Sequence, residues 1–163
     1  MSAPDFADAL IGWRVWCVVR YGTELRLASV IHDEVWPVGT ELVARCRAHE
    51  PPSNRLLLGE LPRHAAPAAE CTCGIYASRE PAGAWTYLRG RDEPFTVARV
   101  LGRVMLWGRV VEHEDGWRAE RAYPLDVYTG DPHLRSRLRS VLGTIRTRRL
   151  VISDGRAGPA RAS

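Results

Sequence analysis

The sequence contains no lysine; all 23 basic residues are arginine. That excludes Schiff-base chemistry, a phosphate-loop lysine and a general-base lysine together. Long apolar runs are missing as well, and no stretch reaches the roughly 18 consecutive apolar residues that a membrane-spanning helix needs. The N-terminus carries Asp5 and Asp8 where a secretory signal would carry positive charge, so the expectation is a cytoplasmic protein with no membrane partner. No Gly-x-Ser-x-Gly elbow occurs, which removes the common serine-hydrolase arrangement. Nor does a glycine-rich turn stand between a strand and a helix to hold a phosphate: Gly102 and Gly108 lie inside an apolar run. Cysteine is scarce, with four in 163 residues.

What is present suits a single domain, 45% hydrophobic and 26% charged. Charge is uneven: residues 1 to 131 carry a net −3, residues 132 to 163 a net +7, and the two give the overall +4. A near-neutral body with a basic end confines any polyanion contact to the C-terminus, although a solvated helix face produces the same pattern.

Residues Trp13 to Arg20 are dense in β-branched and aromatic side chains, and Leu25 to Ser29 alternate after the Tyr21-Gly22-Thr23 turn, predicting a hairpin. Pro37 and Gly39 turn the chain before a third strand over Glu41 to Cys46. A proline-rich loop spans 49–70, with Pro51, Pro52, Pro62 and Pro67. A further strand starts at Cys73. Val97 to Glu112 reads as a strand bent at Gly102 or Gly108, His113-Glu114-Asp115-Gly116 as a hairpin turn, and Trp117 to Tyr123 as the partner, closed by Pro124. An amphipathic helix over 132–146 follows, capped by Asp131 or Thr129, with Leu134, Leu138, Val141, Leu142 and Ile145 at helical spacing. The fold expected is α+β, mainly β: one curled or barrel-like antiparallel sheet with a C-terminal helix. Residues 1–150 form the domain, and 151–163 are expected to be a disordered basic tail.

The one constellation with chemistry is Cys46, His64, Cys71 and Cys73, spaced Cys-x17-His-x6-Cys-x-Cys. Three thiolates and an imidazole are a known closed ligand set for structural zinc, and a metal there would tie both ends of the proline-rich loop. His49 rivals His64 as fourth ligand. The bland alternative is three reduced thiols packed as small hydrophobes. Cys17, between Trp16 and Val18, reads as core.

A cysteine-dependent enzyme would need Cys73 beside His113 with Glu112 or Glu114, and nothing in the sequence joins them. Six tryptophans are present. Trp85, Trp107 and Trp117 alternate with Arg89, Arg103, Arg109 and Arg118, a pattern that suits either core packing or base stacking beside phosphate contacts. The leading expectation is therefore a non-enzymatic binding module for DNA or RNA. Arg135, Arg139, Arg146, Arg148 and Arg149 would meet phosphates, and Trp107 or Trp117 would stack a base. A protein interaction or assembly factor docking through helix 132–146 is the second reading.

Trp13-Arg14-Val15, Trp36-Pro37, Cys71-Thr72-Cys73-Gly74-Ile75-Tyr76-Ala77 and Gly116-Trp117-Arg118-Ala119-Glu120-Arg121-Ala122-Tyr123-Pro124 together resemble a family of small proteins of high-GC Gram-positive bacteria and their phages. The resemblance spans about residues 13 to 128, implies one domain and brings no activity with it.

Overall fold

The computed structural model describes residues 9–31, 34–47, 64–90, 94–143, 145–153 and 156–159. Among the described residues eight strands and two α-helices follow one another: β1 (Leu10–Tyr21), β2 (Glu24–Ser29), β3 (Leu42–Val43), β4 (Ile75–Ser78), α1 (Pro81–Trp85), β5 (Thr96–His113), β6 (Gly116–Thr129), α2 (Pro132–Leu142), β7 (Arg146–Ser153) and β8 (Arg156–Pro159). The chain is mainly β, in a single curled sheet.

Three strands carry the architecture. β1 pairs along one edge with β2 and along the other with β5, and β5 folds back on β6 through the turn after His113. β4 then bridges β6 to β1, so hydrogen bonds run around the ring β1–β5–β6–β4. Curling is made possible by a bulge in β6 at Leu125, opposite Arg103/Val104, and one in β5 between Trp107 and Val110. Gly108 sits in the second with φ +77°, a conformation that only glycine adopts cheaply.

Two regions depart from the sequence-based expectation around these bulges. Pro124 does not close its strand; β6 continues to Thr129. Pro124 is paired with Val104 at the irregularity, where the regular ladder is interrupted and a missing N–H costs little. The third strand shrinks to Leu42–Val43, paired with Ala122 and Arg121.

The core gathers Trp16, Trp36, Leu25, Leu27, Val100, Val104, Leu106 and Val127 with one face of α2. Trp16 and Trp36 meet edge to face at 5.5 Å, and Trp36 Nε1 donates to Ser29 Oγ at 3.0 Å. Cys17 is buried, as expected.

Helix α2 begins where the sequence indicates. Asp131 Oδ1 accepts from the backbone N–H groups of His133 (2.8 Å) and Leu134 (3.2 Å), with Pro132 in the first turn. It ends at Leu142 rather than 146. The chain then returns as β7, parallel to β6 from Asp126↔Arg146 to Thr129↔Arg149, so the sheet is not wholly antiparallel. A helical crossover is what permits a parallel neighbour, since a tight turn cannot reverse the chain twice. Where a disordered tail is expected from 151, β7 runs to Ser153 and β8 pairs with it. Leu134, Leu138 and Leu142 are buried in the core, so the apolar stripe of α2 is already occupied by its own sheet and is not free for a partner. Among the described residues no helix is long and apolar enough to cross a membrane.

Candidate metal centre

Three separate pieces of chain converge on the cysteine cluster. Cys46 follows β3, whose exit is held by the Ala44 N–H donating to Glu120 O at 2.7 Å. Cys71 closes a turn through its N–H to Ala68 O at 3.1 Å, and Cys73 leads through Gly74 into β4. Gly74 has φ +122°, and a Cβ there would stand 3.0 Å from Cβ of both Arg118 and Pro67. Any side chain would therefore push the Cys-x-Cys turn off β6.

The ligand atoms of Cys46, His64, Cys71 and Cys73 all lie within 4.8 Å of one another, close enough to hold one metal ion. Cys46 Sγ and Cys71 Sγ are 3.8 Å apart, and His64 Nε2 is 3.4 Å from Cys73 Sγ. A tetrahedral ion with metal–sulfur bonds of about 2.3 Å and a metal–nitrogen bond of about 2.0 Å has S···S edges of about 3.8 Å and S···N edges of about 3.5 Å. Both spacings match. Cys46 and Cys73 are buried against Ala66 in a small cluster of their own.

Backbone N–H groups are aimed at the sulfurs. The N–H of Cys73 holds the Cys71 thiol below its ordinary value, while burial is the main cause pushing the Cys73 thiol up. The opposite signs follow from geometry, since Cys71 sits on the outer side of the turn and Cys73 on its buried side.

Arg118 closes the turn from behind. It is buried, and Nη1 donates to the carbonyls of Cys71, Cys73 (2.8 Å) and Ala68 (3.3 Å). Arg109, carried on the β5 bulge, donates to Ala65 O at 3.4 Å, next to His64. Sequence reasoning set both arginines on a sheet face among tryptophans. Only the convergence of carbonyls in a Cys-x-Cys turn, which require a donor, hinted at a different use for them.

The rival ligand His49 and most of the proline-rich loop, residues 49–63, lie outside the described residues. The imidazole within hydrogen-bond distance of Cys73 Sγ belongs to His64, and the His113 ring lies 5.7 Å from that of Tyr76.

The arginines and tryptophans expected to meet nucleic acid are scattered. Arg148 Nε is 3.2 Å from the buried carboxylate of Asp126. Arg139 Nε donates to Thr147 Oγ1 at 3.4 Å, placing α2 beside the face of β7 that also carries Arg149; Arg146 and Arg148 alternate to the other. Trp117 packs against the core with the Arg79 guanidinium over its ring at 4.6 Å. Nine residues of β6, about 30 Å along the strand, separate it from Asp126, where the β7 arginines begin. Trp107 is half-buried opposite Arg121 and is likewise remote from α2 along the strand.

No protein-family model matches the chain, and neither the curated proteins nor the solved structures return a match.

Proposed function

We propose that the protein is a non-enzymatic binding module whose Cys46–His64–Cys71–Cys73 corner is held by a structural zinc ion. The observation that carries this reading is the convergence of four ligand atoms within 4.8 Å of one another, with one S···S and one S···N edge at the lengths of a zinc tetrahedron. Three thiolates and one imidazole fill all four positions, leaving none for a water or substrate, which argues for a staple over a catalyst. Elemental analysis of protein purified without tag or added metal should give one zinc per chain, with three thiols appearing on chelation. Metal-free protein with all four thiols titrating at once would end the proposal.

The partner we infer is a nucleic acid, met at Arg135, Arg139 and Arg149. Among the described residues none of the three has an acidic partner, and the Arg139–Thr147 contact joins the helix and strand that carry them. Three phosphate contacts on duplex DNA correspond to a slope of log affinity against log salt of about −2.7. Replacing all three arginines with glutamine should flatten that slope and remove binding at moderate salt, as read by fluorescence anisotropy on a labelled duplex and a single strand. Equal affinity of the triple variant, or no binding at low salt, would refute this part and leave the zinc assignment standing.

A further inference from the structure

Beside the Cys-x-Cys turn and away from the C-terminal arginines, a cavity of about 650 Å³ opens between β1, β4, α1 and the turn after β5. Its volume is in the range that encloses a small organic ligand. The Cys-x-Cys turn supplies one wall through Thr72, Cys73 and Gly74, and aromatic rings supply others.

Arg14 is the informative residue. Its side chain springs from the middle of β1 and lies over the Trp36 ring, with its Cζ 5.2 Å from the ring centroid. Nη1 donates to Tyr76 O at 2.6 Å and Nη2 to Ser29 Oγ at 3.2 Å. Nε is buried without a partner. A guanidinium has five N–H donors, so most of its capacity is unspent. No carboxylate pairs with it among the described residues. Glu34, the nearest acidic influence, is itself bonded to Arg47 at 3.0 Å. Burial accordingly lowers Arg14 to about 10. A cation held in such a place without a counter-ion works against folding, and the deficit is removed when an anion arrives.

The other charged groups facing the cavity favour the same sign of ligand. Among the described residues, Arg45 and Arg47 stand with Arg14 against Glu34 and Asp115, an excess of one positive charge, with His113 beside them. Trp13, Tyr76 and Tyr87 line the walls. Arginine presents a planar fork that a carboxylate or phosphate fills with two parallel hydrogen bonds, and aromatic walls favour a flat ring behind it.

We infer that this cavity is a binding site for a small planar organic anion, an aromatic ring bearing a carboxylate or a phosphate, with Arg14 receiving the anionic group. The site is independent of the nucleic-acid reading, because Arg135, Arg139 and Arg149 contribute nothing to its lining.

The test is calorimetric titration of the zinc-loaded full chain with two sets of probes, each paired with a neutral counterpart of the same ring. Nucleoside 5′-monophosphates are set against nucleosides, and aromatic carboxylates against the corresponding amides. At least one anion should bind at least tenfold more tightly than its neutral partner, and the set it comes from identifies phosphate or carboxylate. Arg14→Gln should lower that affinity at least tenfold while keeping the zinc content and the far-ultraviolet spectrum of the parent. Arg14→Lys, which keeps the charge and loses the fork, should fall between the two. The Arg135, Arg139 and Arg149 triple glutamine variant should bind as the parent does. Absence of binding by every anion at millimolar concentration, equal binding of anion and neutral partner, or undiminished binding by a folded Arg14→Gln would each overturn the inference.

Discussion

Stripping the metal with a chelator is expected to release the segment from His64 to Gly74 and to loosen β4, while the β1–β5–β6 body stays folded. The reason lies in how the apolar matter is divided. The main core draws chiefly on β1, β2, β5, β6 and α2, to which β4 adds Ile75 and Ala77, whereas the cysteine corner has a separate cluster of Cys46, Ala66 and Cys73. Three small side chains bury too little area to order a segment that contains no helix and no strand before Ile75. Without the ion, the thiolates repel or take up protons, and the turn is left to Arg118 and the Cys71 N–H bond to Ala68 O. A structural ion contributes RT ln(1 + [L]/Kd), so at free zinc about 1,000-fold above Kd the corner loses about 4 kcal/mol on removal.

Hydrogen exchange followed by mass spectrometry, with and without chelator, measures this directly. Protection should collapse over residues 64–78 and change little in β5. Acid should do the same as the chelator, because ligands must shed protons to bind metal. Of the two sulfurs of the turn, Cys73, raised by burial, takes up a proton before Cys71, which the Cys73 N–H holds down. Unchanged exchange over 64–78 in a protein that had lost one bound zinc would show that the ion is not a staple. Global unfolding on chelation would show instead that the two clusters are one cooperative unit.

Much of this arrangement is legible in the sequence because its determinants are local. The β1–β2 hairpin is announced by alternating residues around Gly22-Thr23, and α2 by Asp131, Pro132 and leucines at helical spacing. The four metal-ligand candidates are legible through residue type alone, even though they come from three stretches of chain. Other features depend on contacts between remote residues, which no periodicity records. Arg118 reads as an exposed strand residue, yet its guanidinium is consumed by three carbonyls some 45 to 50 positions away. Arg14 looks like an ordinary polar interruption of β1 until Trp36, Ser29 and Tyr76 close around it. β7 is hidden because three arginines in the stretch 146–149 mask a strand with a helix-facing side; Thr147, between Arg146 and Arg148, is the only uncharged residue there. The proline at 124 misleads for a related reason: its tolerance depends on the bulge at Leu125 beside it, which only the pairing with β5 defines.

Replacing Asp126 with alanine is expected to be the most damaging single change away from the metal, at about 3 kcal/mol. The carboxylate is 1% exposed, at the point where β6 bulges and β7 joins the sheet. Arg103 Nε donates to both oxygens, at 3.1 and 3.0 Å, and the Arg103 backbone N–H reaches Oδ1 at 3.2 Å. Arg148 Nε stands 3.2 Å from Oδ2 on the β7 side, and the Tyr128 hydroxyl donates to it at 3.4 Å. The two guanidiniums are partly exposed and can turn to water, which keeps the cost at the lower end of that for a broken buried pair. The Arg103 N–H has no such escape. Asp126→Asn preserves shape and one acceptor, so it should cost clearly less than alanine, and Arg148→Met should cost under about 1 kcal/mol because Arg103 still neutralises the carboxylate. Urea midpoints on the zinc-loaded protein rank the three, with Asp131→Ala as a cap control at about 1 kcal/mol. If Asp126→Ala ranked no lower than the cap control, the attachment of β7 would rest on the helix packing of Leu138 and Leu142 and not on this carboxylate. The ranking therefore decides whether charge or burial holds the parallel strand in place.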